Sequence, residues 1–164
     1  MAGHQRREAK RGLDGSTTFA LLVAYDNIVD YGTNYAFVRH VLTMDTTFPG
    51  NHLMDRAIVA PELHRLAYAL IIATEFVTGA LCIIGAARLL PEIAAPRRFA
   101  AAKGAAALGL ALGFTLWFFG FLTVGGEWFA MWQSASWNGQ ESAFRFTVVI
   151  GFALVLLAIP ENDT

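Results

Sequence analysis

The chain has few charged residues and a single cysteine, and each shortage excludes certain classes of protein. Asp, Glu, Lys and Arg make up 15 % of its 164 residues, whereas a soluble domain usually carries about 25 %. These charges are too few to cover a water-facing surface. The net charge of −1 leaves no basic excess for binding nucleic acid. The single cysteine, Cys82, excludes an intrachain disulfide framework and a cysteine-rich metal site.

Apolar residues form 55 % of the chain and gather in four stretches. A helix needs about 20 apolar residues to cross roughly 30 Å of hydrocarbon. The first stretch is the least regular, because Asp26 and Asp30 interrupt it, and three spans would remain if it did not cross. We predict an all-α fold, a four-helix transmembrane bundle occupying residues 16–160. Its helices are expected at about 17–38, 64–88, 104–124 and 143–159.

The remaining segments predict the orientation of the bundle. Eight Lys and Arg residues precede the first helix or lie from Arg88, at the end of the second helix, to the start of the third, against four on the other side. Because cytoplasmic segments carry the excess of Lys and Arg, both the N- and C-termini are expected in the cytoplasm. The expected segments are a basic tail at 1–15, outer loops at 39–63 and 125–142, a cytoplasmic loop at 89–103 and a tail at 161–164.

Acidic side chains occur at the predicted mid-depth of the membrane. A rise of about 1.5 Å per residue places Asp26, Asp30 and Glu75 near the centre of the first two helices. No Lys or Arg lies at that depth, and an unpaired charge in hydrocarbon is costly. We therefore expect these groups to be protonated, to share a proton, or to bind a cation.

Neighbouring polar side chains extend this feature, because residues four apart share one helix face. Three interpretations stay open: hydrogen bonds that join the first two helices, proton or cation handling, and contact with a partner's buried cation. The predicted intramembrane polar cluster comprises Asp26, Asn27, Asp30, Tyr31, Asn34, Glu75 and Thr78.

Polar residues at the outer side give a second, weaker set of candidates. Imidazoles at the outer ends of neighbouring helices could bind haem or a metal, but their surroundings show no ligand spacing, so interfacial histidines are favoured. Arg145 is expected to extend outward or to pair with Glu127 or Glu141. No catalytic residue, cofactor or metal is predicted. The outer candidates are His40, Asp45, His52, His64, Glu127 and Arg145.

Small residues on the third helix indicate close helix packing. Gly109 and Gly113 form a small-x-x-x-small pair, which lets two backbones approach each other. Packing within the chain is favoured, and contact with a partner subunit is the alternative.

Several segments together resemble a known family. These are residues 25–51 (YDNIVDYGTNYAFVRHVLTMDTTFPGN), 63–65 (LHR), 117–121 (WFFGF) and 127–134 (EWFAMWQS). They resemble a family of small bacterial integral membrane proteins catalogued as domain of unknown function 2165. The resemblance covers roughly residues 17–158 and implies a four-helix bundle in a bacterial inner membrane. It implies no activity, substrate or cofactor, and so no catalytic residue.

The sequence therefore predicts a multi-pass protein of the bacterial inner membrane that is not an enzyme. Four helices leave little interior for a substrate pathway, which favours an accessory or interaction subunit of a larger membrane assembly. An alternative is a proton- or cation-coupled transporter or channel that uses Asp26, Asp30 and Glu75 as a relay. A weaker alternative is a sensor of a periplasmic ligand. The expected partners are the lipid bilayer and either another membrane protein or a second copy of the chain.

Overall fold

The computed structural model describes residues 2–161, without the side chains of residues 2, 3 and 5, and the described residues contain no strand. The fold is all-α. Residues 162–164 of the expected C-terminal tail lie outside the described part. The helices are α1 (Ala2–Val29), α2 (Tyr31–Thr43), α3 (Pro61–Leu89), α4 (Pro96–Ala102), α5 (Gly104–Phe114, continued as a π-helix over Thr115–Trp128) and α6 (Gln140–Ala158), with short 3₁₀ turns at Met54–Arg56, Leu90–Glu92 and Met131–Gln133.

Three helical segments of the described chain are long and apolar enough to cross a membrane: Pro61–Glu92, Gly104–Trp128 and Gln140–Ala158. The first of these begins at a proline, whose fixed φ suits the opening turn of a helix. The second contains no charged residue before Glu127. The third begins directly after the Asn138–Gly139 pair, which is a turn signal.

The N-terminal region differs from the expected polar tail at 1–15 followed by one helix at 17–38. Helix α1 already begins at Ala2 and ends at Val29, and α2 continues from Tyr31 beyond the expected end to Thr43. The early start follows from burial, because Ala9 and Leu13 pack into the main hydrophobic cluster of the bundle. The expected tail is thus an integral part of the fold.

Ion pairs join three segments at the basic end of the bundle. Arg6 donates to the carbonyl oxygen of Ile93 at 2.6 Å and to the carboxylate of Glu161 at 3.1 Å. Lys103 contacts the other Glu161 oxygen at 2.9 Å and donates to the carbonyl of Ile159 at 2.8 Å. These side chains are largely buried. The start of α1, the α3–α5 connection and the end of α6 therefore lie together, and the expected cytoplasmic loop at 89–103 contains helix α4.

Glycines allow α3 and α5 to approach closely. A Cβ at Gly85 would lie 2.6 Å from the backbone of Ala106, and one at Gly109 would lie 2.8 Å from the sulfur of Cys82. A Cβ at Gly113 would meet the methyl of Thr78 at 3.0 Å. Both glycines of the predicted pair therefore face α3 of the same chain.

The two loops predicted to be outer close over the opposite end, which is named the outer end from that prediction alone. Val41, Met44, Phe129, Ala130 and Met131 form a second hydrophobic cluster there. The hydroxyls of Thr46 and Ser134 lie 2.8 Å apart. The amide of Phe48 donates to the side-chain carbonyl of Gln133 at 3.2 Å. The outer end is therefore a packed cap that connects the end of α2 to the segment before α6.

Replacing Gly85 by Ala tests the close approach of α3 and α5. The added methyl would meet the backbone of Ala106, so the helices must separate, and we expect the free energy of unfolding in mixed micelles to fall by about 1–3 kcal/mol. The control is Gly15→Ala in α1, where a Cβ meets nothing within 4 Å; it should be neutral or stabilise by about 0.5–1 kcal/mol. Equal effects of the two changes would contradict this packing.

A polar cavity beside the α1–α2 break as the candidate functional site

Glu75 is the deepest acidic side chain of the bundle. It is the central residue of the 29-residue helix α3, and its side chain is buried, with 2 % exposed. One carboxyl oxygen, Oε2, accepts a hydrogen bond from the side-chain amide of Asn27 at 2.7 Å. The other, Oε1, is buried without a hydrogen-bond partner among the described residues. Half of the carboxyl group is thus available for a further interaction.

Asn27 connects α1 to α3 through two separate contacts. Its side-chain amide donates to Glu75, and its backbone carbonyl accepts from the hydroxyl of Tyr68 at 2.6 Å. Tyr68 lies seven residues before Glu75 on α3, so both side chains face α1. The contact places Asn27 at the same depth as Glu75, in the middle of the span.

The helix that carries Asn27 breaks three residues later, at Asp30. The backbone there has φ −105° and ψ 48°, which is not helical. The side chain of Asn34 covers part of the break, donating to the carbonyl oxygen of Asp30 at 3.2 Å. A helix rises about 1.5 Å per residue, so the break lies about 4.5 Å along the helix axis from Asn27.

A cavity of about 350 Å³ lies beside this break, between α1, α2, α3, the π-helix and α6. Its polar wall is formed by Asp26, Asn27, Asn34, Tyr68, Glu75 and Ser142. Its apolar wall is formed largely by the rings of Phe37, Trp117, Phe121 and Phe146. No Lys or Arg lines it. The cavity is therefore acidic on one side and aromatic on the other.

The three predicted mid-membrane acids do not form one cluster. Asp26 is exposed but lines the cavity together with the buried Glu75. Asp30 is exposed and does not line the cavity, and neither aspartate side chain has a hydrogen bond or ion pair within residues 2–161. Helix α1 contacts Glu75 through Asn27 and not through either aspartate, so both aspartates stay exposed and only Asp26 also borders the cavity.

The other predicted members of the polar cluster lie either near the cavity or in the contact between α3 and α5. The exposed ring of Tyr31 packs edge-on against the ring of Tyr68, with centroids 4.9 Å apart. Asn34 lines the cavity. Thr78 is buried but faces Gly113 of α5, and its hydroxyl has no partner within the described chain. Thr78 is therefore part of the α3–α5 packing.

The predicted outer histidines have different surroundings. His40 lies 2.9 Å from the carboxylate of Asp45, and its ring stacks on Trp137 at 4.6 Å. His64 is buried, and its Nε2 lies 2.7 Å from the carbonyl of Ile58. Each imidazole therefore stabilises the outer cap through a contact of its own.

The remaining outer candidates are solvent-facing. His52 and Glu127 are exposed. Arg145 pairs with Glu141 one turn earlier on α6, which was one of its two expected partners. Among the described residues, no group of three or more His, Cys, Asp or Glu side chains is placed to hold a metal ion.

Sequence reasoning missed the aromatic half of the site. Tyr68 is two turns from Glu75 on the same face of α3, a spacing that could have identified it. Trp117 belongs to the main hydrophobic cluster and also lines the cavity, 4.5 Å from Phe146 and 4.6 Å from Phe121 between ring centroids. The sequence held no signal for this wall, because its rings come from three separate helical segments.

A double-mutant cycle tests the Asn27–Glu75 contact. Asn27→Leu leaves both carboxyl oxygens without a partner and should lower the free energy of unfolding by about 1–3 kcal/mol. Adding Glu75→Leu removes the unpartnered carboxyl, so the double variant should be less destabilised than the sum of the two changes by about 1 kcal/mol. The control pair is Asn34→Leu with Glu75→Leu, which should be additive, since Asn34 donates to the Asp30 carbonyl. Additivity in both cycles would contradict the contact.

Comparison with known proteins agrees with a membrane location. No curated protein and no solved structure matches the chain. One family matches, described as predicted small integral membrane protein (DUF2165), and the match covers residues 14–160. It includes the whole cavity, the break at Asp30 and all three apolar helical segments. The chain therefore belongs to the DUF2165 family of small integral membrane proteins.

Proposed function

We propose that the chain is an accessory subunit of a larger membrane assembly and that it docks through residues 28–33, which we call the docking segment. The observation that carries the proposal is the exposed carboxyl of Asp30 near the middle of the span. A carboxylate facing lipid at that depth costs about 3 kcal/mol. A partner helix that covers Asp30 would remove this cost.

The docking segment has little contact with the rest of its own chain. All six of its residues are exposed, including the apolar Ile28 and Val29. Asp30 and Thr33 add polar groups to this surface. Polar side chains inside membrane spans normally face other protein or a water-filled space. Together, the polarity and the exposure favour a protein surface over lipid for this segment.

Charge indicates the kind of partner. The spans of this chain carry Lys or Arg only near their ends, so a second copy would bring no cation to the depth of Asp30. A Lys or Arg in a partner's transmembrane helix would form a charge-assisted hydrogen bond with the carboxylate. We therefore infer a different membrane protein with a basic residue at mid-depth as the occupant.

The proposed arrangement in the membrane has four crossings, with α1 and α2 together forming the first. The eight Lys and Arg residues of the first tail and of residues 88–103 lie toward the end where Arg6, Lys103 and Glu161 meet. Since basic residues accumulate on the cytoplasmic side, we infer cytoplasmic N- and C-termini in a bacterial inner membrane.

A second candidate is cation handling, which the acidic cavity favours. Asp26 and Glu75 line the same space. Asp30 does not, so a relay through all three acids would need a step outside the cavity.

A photocrosslinking amino acid at position 29 tests the docking segment in native membranes. Val29 is 65 % exposed, and the matched control, Val155 on α6, is 64 % exposed. We expect a protein adduct from position 29 and lipid adducts from position 155. The crosslinked peptide should come from a partner span that contains Lys or Arg. Asp30→Asn should reduce the yield of this adduct, about tenfold if the substitution weakens binding of the partner by 1.4 kcal/mol.

Other crosslinking results would contradict the proposal. Lipid adducts alone at position 29 would show that the docking segment faces the bilayer. An adduct with a second copy would show self-association, and an adduct that Asp30→Asn leaves unchanged would show that the carboxylate is not recognised.

Cysteine labelling tests the four crossings. In a Cys82→Ala background, we expect an impermeant thiol reagent to label His52→Cys in intact spheroplasts. It should label His4→Cys and Ala101→Cys only after lysis. All three sites are exposed in the structure. If α1 and α2 did not cross, His4→Cys would be labelled from outside, as His52→Cys is.

A further inference from the structure

We propose that the cavity binds a small organic cation, a substituted ammonium ion, with its charged nitrogen at Oε1 of Glu75 and its substituents against the aromatic wall. The proposal concerns a site distinct from the docking segment. It is independent of whether a partner subunit exists, although Asp26 borders both regions.

The charge of the cavity favours a cation. Asp26 and Glu75 both line it, and no Lys or Arg does. The Oε1 atom of Glu75 is buried without a hydrogen-bond partner, while Asn27 holds Oε2 at 2.7 Å. A buried acceptor left without a partner is unfavourable. An N–H group of an ammonium ion would donate a hydrogen bond to Oε1, and its positive charge would neutralise the carboxylate.

The aromatic wall favours an organic ion. The face of an aromatic ring attracts a cation, and this attraction strengthens when water is excluded. Trp117 is 7 % exposed and contacts Phe121 and Phe146, so three rings that line the cavity lie in contact with one another. A hydrated inorganic ion gains little from such a surface, whereas alkyl groups on nitrogen pack against it.

The size of the acidic cavity also favours a small organic cation over a bare metal ion. A volume of about 350 Å³ falls in the range of small-molecule sites. A bare metal ion requires several oxygen ligands at about 2–2.6 Å, and no group of three or more acidic, His or Cys side chains is placed to hold one among residues 2–161.

An adjoining apolar cavity gives room for a longer substituent. It measures about 160 Å³ and shares Phe37, Val38, Ile71 and Phe121 with the acidic cavity. It continues toward Val41 and Phe129 in the outer cap. A ligand with a charged head at Glu75 could therefore place an apolar tail in this second space.

Calorimetry with two probes of matched shape tests the proposal on the full chain in detergent. The probes are tert-butylammonium, a cation at neutral pH, and the neutral tert-butanol. We expect the cation to bind at least about tenfold more tightly. Sodium at the same ionic strength should not compete. This comparison needs no variant and so does not depend on the folding of one.

Two substitutions locate the binding site. Glu75→Gln keeps the shape and an acceptor for Asn27 but removes the charge, and should weaken binding of tert-butylammonium by about tenfold or more. Trp117→Leu should weaken it by about thirtyfold, which corresponds to the roughly 2 kcal/mol of a desolvated cation–π contact. The control is Glu62→Gln, an exposed acid at the outer start of the same helix, which should have no effect.

The proposal would be overturned by any of three results. Equal affinity for the two probes would show an apolar cavity without cation recognition. Unchanged binding in Glu75→Gln, with circular dichroism matching the parent chain, would place the cation elsewhere. Displacement of tert-butylammonium by equimolar sodium would show a site for inorganic ions.

Discussion

The rest of the structure depends on how one buried carboxyl group is satisfied in a medium without water. Glu75 lies at the centre of α3, and half of its hydrogen-bonding capacity is met by Asn27. Polar groups in hydrocarbon need partners within protein, because lipid offers none. The contact determines which residue of α1 faces the bundle. Once Asn27 faces inward, its neighbours Asp26 and Asp30 turn outward.

Close backbone approach between α3 and α5 is the second constraint. The glycines at positions 85, 109 and 113 let α3 and α5 come together along much of their length. Without a hydrophobic driving force between helices in lipid, such packing supplies much of the association energy. At the two ends, the Arg6–Glu161–Lys103 pairs and the outer cap hold α1, α2 and α6 to this central pair. The cavity remains where five segments meet and no side chain is large enough to fill the space.

The site and the docking segment have the same origin. The break at Asp30 ends α1 and starts α2 at mid-depth. On its inner side it leaves a cavity with acidic and aromatic walls, and on its outer side it leaves six exposed residues. One irregular residue thus generates both surfaces on which the proposed roles depend. Irregular backbone at membrane depth occurs where protein or an aqueous cavity covers it.

The sequence by itself determined the class of the protein, because the scarcity of charge and the long apolar runs leave a bilayer as the suitable solvent for most of its surface. It also identified Asp26, Asn27 and Glu75 as neighbours in depth, since helix rise is constant. Only the tertiary structure decided that Asn27 contacts Glu75, that Asp30 lies outside the cavity, that residues 2–15 are helical, and that Trp117 lines the cavity. These features depend on helix rotation and on contacts between distant segments, such as Arg6 with Glu161. Spacing along one helix carries no information about either.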